Sequence, residues 1–159
     1  MSSAVRYRIP DEPSPSKQEA LIVDPLWPLF AQMLVGTWFA LPWFLVNGIS
    51  MGSPTRRREW LLIAASLSGS AVSAISLVYA FDSGRLRGVD PRYGLVLITI
   101  LKLACAYGLY FMQQRPFELW RHFGGKPKNG LLLVIAASVF LRPEVSTALG
   151  NGILAIILA

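Results

Sequence analysis

One cysteine, Cys105, and one histidine, His122, are all that 159 residues offer of the side chains most used for soft metal ligation and for nucleophile and base pairs. A lone cysteine excludes an intramolecular disulfide. Its place inside an apolar run reads as a small packing residue. His122 falls in a basic, aromatic connection and reads as a solvated loop residue. Metal-ligand spacing, a phosphate-cradling glycine loop and a Ser, His and Asp set are all missing, so the chain is expected to be no enzyme and to carry no metal or cofactor. Charge is scarce too, at 15% of residues. The balance is positive, +6, but neither a basic helix nor a basic and aromatic sheet pattern accompanies it, which sets nucleic acid aside as a partner.

What is present in excess is apolar surface. Hydrophobic residues make up 53% of the chain and the mean hydropathy is +0.48, too apolar for an ordinary soluble domain of this size. The few charges gather in the N-terminal arm and three short connections, leaving long uncharged runs between them. That segregation predicts an all-α, polytopic membrane protein with about four transmembrane helices and membrane lipids around it.

Residues 1–24 carry Pro10, Pro13 and Pro15 among serines and acidic residues, and read as a flexible arm that cannot bury enough apolar surface to offset its ordering entropy. Acidic residues and prolines also interrupt the pattern that a cleaved signal needs. Residues 25–159 form the expected four-span domain, with spans at about 26–49, 60–81, 93–112 and 131–159. Pro42 predicts a kink in the first span, where Trp38 and Trp43 pack. The second is rich in small residues, and Ala65, Gly69 and Ser73 recur four apart, predicting a closely packed helix and the most protein-buried span. The fourth is interrupted by Arg142-Pro143-Glu144 and reads as one span broken near Pro143.

Val23-Asp24-Pro25 precedes the first span and Val89-Asp90-Pro91 the third, and similar apolar strings open the second and fourth. Two tandem helical hairpins are one explanation; coincidence in low-complexity sequence is the other. In either case Asp-Pro reads as a helix start, with Asp as cap and Pro in the first turn. Basic residues near span ends favour a cytoplasmic location for the first connection (Arg56, Arg57, Arg58) and the third (Arg115, Arg121, Lys126, Lys128), with both termini outside. Arg6 and Arg8 in the arm nearly cancel that bias.

Two groups of residues are candidates for function. Arg115, Phe117, Trp120 and Arg121 mix rings and cations as an interfacial helix does. Lys102, Arg142 and Glu144 lie well inside apolar runs, where ionisable side chains are costly and tend to be paired, and similar depth predicts a Lys102–Glu144 ion pair. The functional expectation is a non-enzymatic membrane subunit that binds or stabilises other membrane components, as part of a complex or a homo-oligomer. A small oligomeric transporter or channel using Lys102, Arg142 and Glu144 is the alternative, and a membrane protein that neutralises a toxin is a third.

Overall fold

The computed structural model describes residues 21–86, 88–150 and 152–158. Most of the expected N-terminal arm lies outside these residues. The described chain is helical, with a single isolated bridge between Val23 and Lys128. Its elements are α1 (Leu26–Leu34), α2 (Thr37–Met51), α3 (Arg56–Asp82), α4 (Pro91–His122), α5 (Leu131–Ala136), a π-helical turn (Ala137–Leu141), α6 (Arg142–Leu149) and α7 (Ile153–Leu158).

Among the described residues three helices are long and apolar enough to cross a membrane: α3, α4, and the continuous run from α5 through the π-helical turn to α6; the expected count of about four is not confirmed. In their most apolar stretches only 22%, 28% and 11% of residues are buried, so most of their apolar surface faces outward, as it does toward lipid.

The expected first span is instead two helices. Gly36 adopts φ 121° and ψ 175°, a conformation essentially restricted to glycine, and it reverses the chain between α1 and α2. Ala31 then packs with Ala40, and Leu29 with Leu41 and Phe44, on either side of the turn. The far ends meet as well, since Val23 N donates to Asn47 Oδ1 at 3.0 Å. Pro42 lies inside a continuous α2, so the reversal falls at Gly36 and not at the proline. This hairpin, not the second expected span, is the best buried part of the chain. Eight of the fifteen residues of α2 are buried, against five of twenty-seven in α3.

Both Asp-Pro pairs stand at helix starts. Asp90 caps α4, its Oδ1 accepting from Arg92 N at 2.9 Å, whereas the N-cap of α1 is Pro25 and Asp24, one residue before it, accepts from Leu26 N at 2.9 Å. The helices they open differ, however. The first is a nine-residue helix that turns back, the second a 32-residue helix. α4 continues ten residues past the expected end at Met112, through Pro116, because Gln113, Phe117 and Trp120 are buried there.

The expected break near Pro143 takes the form of the π-helical turn just before it. Proline has no N–H to give to the preceding turn, and the wider π turn absorbs that mismatch without ending the helix. The chain breaks later, at Gly150, and α7 folds back against α3, with the carbonyl of Ile156 accepting from Lys102 of α4.

The bundle therefore has two ends. The proximal end carries residues 21–24, the connection at 52–55 and the connection at 123–130, tied together by Lys128 N donating to Ile22 O at 3.1 Å. The distal end carries the turn after Asp82.

Candidate functional site

Two of the three candidate intramembrane ionisable residues meet helix ends, not each other. Reversal at Gly36 stops α1 early, leaving the carbonyl of Leu34 without a helical donor. Arg142 Nη1 donates to it at 2.8 Å. On the distal side Lys102, only 5% exposed, donates from Nζ to the carbonyl of Ile156 in α7 at 2.6 Å. Each cation thus sits at the C-terminal end of a short helix, where the carbonyl dipoles favour positive charge.

Glu144 does not join them. It is exposed on α6, and among the described residues the ion pair within 4.0 Å is Arg92 with Asp90. The expected Lys102–Glu144 pair is therefore not formed. Similar depth along two helices does not fix the rotation of each about its axis, nor does it foresee the return of α7 between them.

Lys102 and Arg142 line a cleft of about 680 Å³ that is bounded on one side by the α1–α2 turn and on the other by α7. Gln32 also faces it. Its Nε2 donates to Thr37 Oγ1 at 2.9 Å, while its Oε1 is buried without a hydrogen-bond partner among the described residues. No acidic side chain is among the described residues lining the cleft.

A second polar cluster, at the proximal end, escapes sequence reasoning. Glu59 opens α3 directly after three arginines, yet it is 2% exposed. Its carboxylate accepts from Ser53 Oγ, from Thr55 Oγ1 at 2.9 Å and from Gln113 Nε2 at 2.9 Å. Gln113 also donates to Phe44 O at 2.7 Å and accepts from Asn47 Nδ2 at 3.2 Å, and Asn47 Oδ1 takes the Val23 N–H. The network ties the N-terminal segment, α2, α3 and α4 together, and the Glu59 carboxylate and the Gln113 amide are satisfied within it. Gly48 makes room for it: a Cβ at that position would clash with Glu59 Oε2 and lie 2.8 Å from Gln113 Nε2.

The remaining candidates divide between packing and exposure. Ala65 is exposed, and Gly69 and Ser73 are half-buried; the buried stripe of α3 is Glu59, Ile63, Ser66, Ser70 and Ala74. Phe117 and Trp120 turn inward with Ile22 and Met51, leaving Arg115 and Arg121 exposed. Among the described residues, no three metal-donor side chains of the His, Cys, Asp and Glu types come together. The chain matches no protein-family model, no curated protein and no solved structure.

Proposed function

We propose that the protein is a non-enzymatic membrane subunit that holds another membrane protein against the third of its long helices. The observation that carries this reading is the exposure of α6. Glu144, Ser146 and Thr147 are all exposed, on a helical run that is apolar enough to span a membrane and is only 11% buried. A carboxylate facing hydrocarbon is costly, by about 2.5 to 3.5 kcal/mol for an acidic side chain at the centre of a span. A neighbouring helix bringing a cation or a hydroxyl donor removes that cost. The proximal end, with Arg56, Arg57, Arg58, Arg115, Arg121, Lys126 and Lys128, faces the cytoplasm in this reading.

Purification in mild detergent followed by mass spectrometry tests the reading. A stoichiometric membrane companion, lost on Glu144→Leu and retained on Leu132→Ala, is the expected result. A companion-free preparation that Glu144→Leu leaves unchanged overturns it.

The cleft favours a second reading, a small oligomeric transporter or channel for anions. Arg142 lines it, exposed and engaged through Nη1 with a backbone carbonyl, and one buried Gln32 oxygen is open to a donor. Anion flux in proteoliposomes that falls on Arg142→Gln while folding is retained supports this reading; an absence of flux in the unmodified protein rules it out.

A further inference from the structure

On the opposite side of the α1–α2 hairpin from the cleft, a groove of about 600 Å³ runs between α2 and α5. Trp38, Pro42, Trp43 and Val46 form one wall and Leu133 the other, with Lys128 at one end only. From Val46 to Trp38 is eight residues of helix, about 12 Å at 1.5 Å per residue. That is close to the depth of one leaflet of a hydrocarbon core of about 30 Å.

The wall is built to stay open. Trp38 and Phe39 meet edge to face at 5.4 Å, and Phe39 and Trp43 at 5.5 Å, so the rings brace one another. Gly130 lies so close beneath Trp27 and Trp43 that a Cβ there would come 2.7 Å from Trp27 Cγ and 3.0 Å from Trp43 Cη2. Val46 and Leu133 are 41% and 50% exposed, so the groove is open laterally.

The mouth is cationic. The connection from Phe123 to Gly130 carries Lys126 and Lys128, both exposed, and no acidic residue. Among the described residues Lys128 has no ion-pair partner, and the carboxylate of Asp24 is engaged by Leu26 N at the start of α1. A slot of about one leaflet's depth, apolar along its length and positive at the surface end, matches an acyl chain attached to an anionic headgroup.

We infer that this groove is a binding site for an anionic phospholipid, with one acyl chain lying along Trp38, Pro42 and Trp43 and the headgroup phosphate held by Lys128 and Lys126. Lipid selectivity here is independent of whichever protein α6 contacts.

Quenching of tryptophan fluorescence by brominated lipids tests it in the full-length protein. The protein is reconstituted into vesicles of phosphatidylcholine containing a fixed fraction of either brominated phosphatidylglycerol or brominated phosphatidylcholine. The expected result is stronger quenching by phosphatidylglycerol, with the excess removed in Trp38→Phe/Trp43→Phe, which identifies the reporters. Each lysine replaced by glutamine should weaken the preference about five-fold, as expected for one basic residue at an anionic surface. Val46→Phe, at a position already open to lipid, should abolish the excess while leaving both lysines in place, so loss of binding is distinguished from loss of fold. Equal quenching by the two lipids overturns the inference, as does an excess that persists in Lys126→Gln/Lys128→Gln. Protection of Trp38 and Trp43 from both lipids also overturns it, because it means that protein fills the groove.

Discussion

Replacing Gly48 with alanine is the most direct perturbation of the buried network. Alanine is the better helix former by about 0.8 to 1 kcal/mol, so on helix propensity alone the change stabilises α2. The structure predicts the opposite sign. The new methyl group clashes with Glu59 Oε2 and crowds Gln113 Nε2, neither of which lies at the free end of an exposed side chain. At minimum the bond between Gln113 and Glu59 is lost, and a hydrogen bond to a charged group is worth about 1.5 to 3 kcal/mol. The buried amide left unsatisfied adds about 1 to 3 kcal/mol. Set against the propensity gain, the net loss is about 1.5 to 5 kcal/mol.

Thermal unfolding in detergent, monitored by tryptophan fluorescence, should show this as a fall of roughly 3 to 20 °C, taking about 2 to 4 °C per kcal/mol for a chain of this size. Gly69→Ala serves as control, because its Cβ meets only the end of the Leu101 side chain, at 3.1 Å, and Tm should hold or rise. The decisive comparison is made in Glu59→Ala, where the obstructing carboxylate is gone, only Gln113 Nε2 still crowds the methyl group and Gly48→Ala should cost clearly less. A Gly48→Ala protein as stable as the parent, or an equal loss in both backgrounds, would refute the reasoning.

Three further outcomes are expected. In a Cys105→Ser background, single cysteines at Leu21, Arg57 and Lys126 should all label from one side of the membrane and one at Ser83 from the other; labelling of Leu21 opposite to Arg57 would restore a full first span. Arg142→Met should speed hydrogen exchange at Val35 and Gly36, and Lys102→Met should speed it over α7, because each removes the donor on one helix-end carbonyl. If neither changes exchange locally, the caps do not hold those helices. Lys102→Met and Glu144→Gln should be additive in Tm to within about 0.5 kcal/mol, as expected for residues that share no contact, and larger coupling would reinstate an ion pair between them.

Much of the helical framework was legible because it rests on long-range composition. Charge segregation located α3, α4 and the start of the third long helix, and the Asp-Pro dipeptides located two helix starts. The reversal at Gly36 was not legible. A glycine in an apolar run reads equally well as a close-packing position, and only the pairing of Gln32 with Thr37 across the turn hints otherwise. The packing face of α3 was misplaced because small residues occur at nearly every position from Ala64 to Ser76, so the sequence does not select one stripe. Glu59 was hidden by its neighbours. Directly after Arg56, Arg57 and Arg58 it reads as part of a solvated connection, and its burial depends on Ser53, Gly48 and Gln113, which only the tertiary structure assembles. The cations at the candidate site were found by their depth alone, and their carbonyl partners could not be, because those partners exist only where helices end inside the bundle.

The bond from Arg142 to Leu34 also bears on biogenesis. The two residues are 108 positions apart, so the tip of the hairpin is made long before the side chain that caps it. At about 5 to 20 residues per second of synthesis, roughly 5 to 20 s separate them. During that interval the hairpin has a bare carbonyl at its apex, and the Asn47 side chain still waits for Gln113, so it gains little from committing to the lipid early. The nascent chain is therefore expected to seat its first apolar segment last, after the helices made later, and truncation before residue 142 should leave that segment accessible from the side on which it was made.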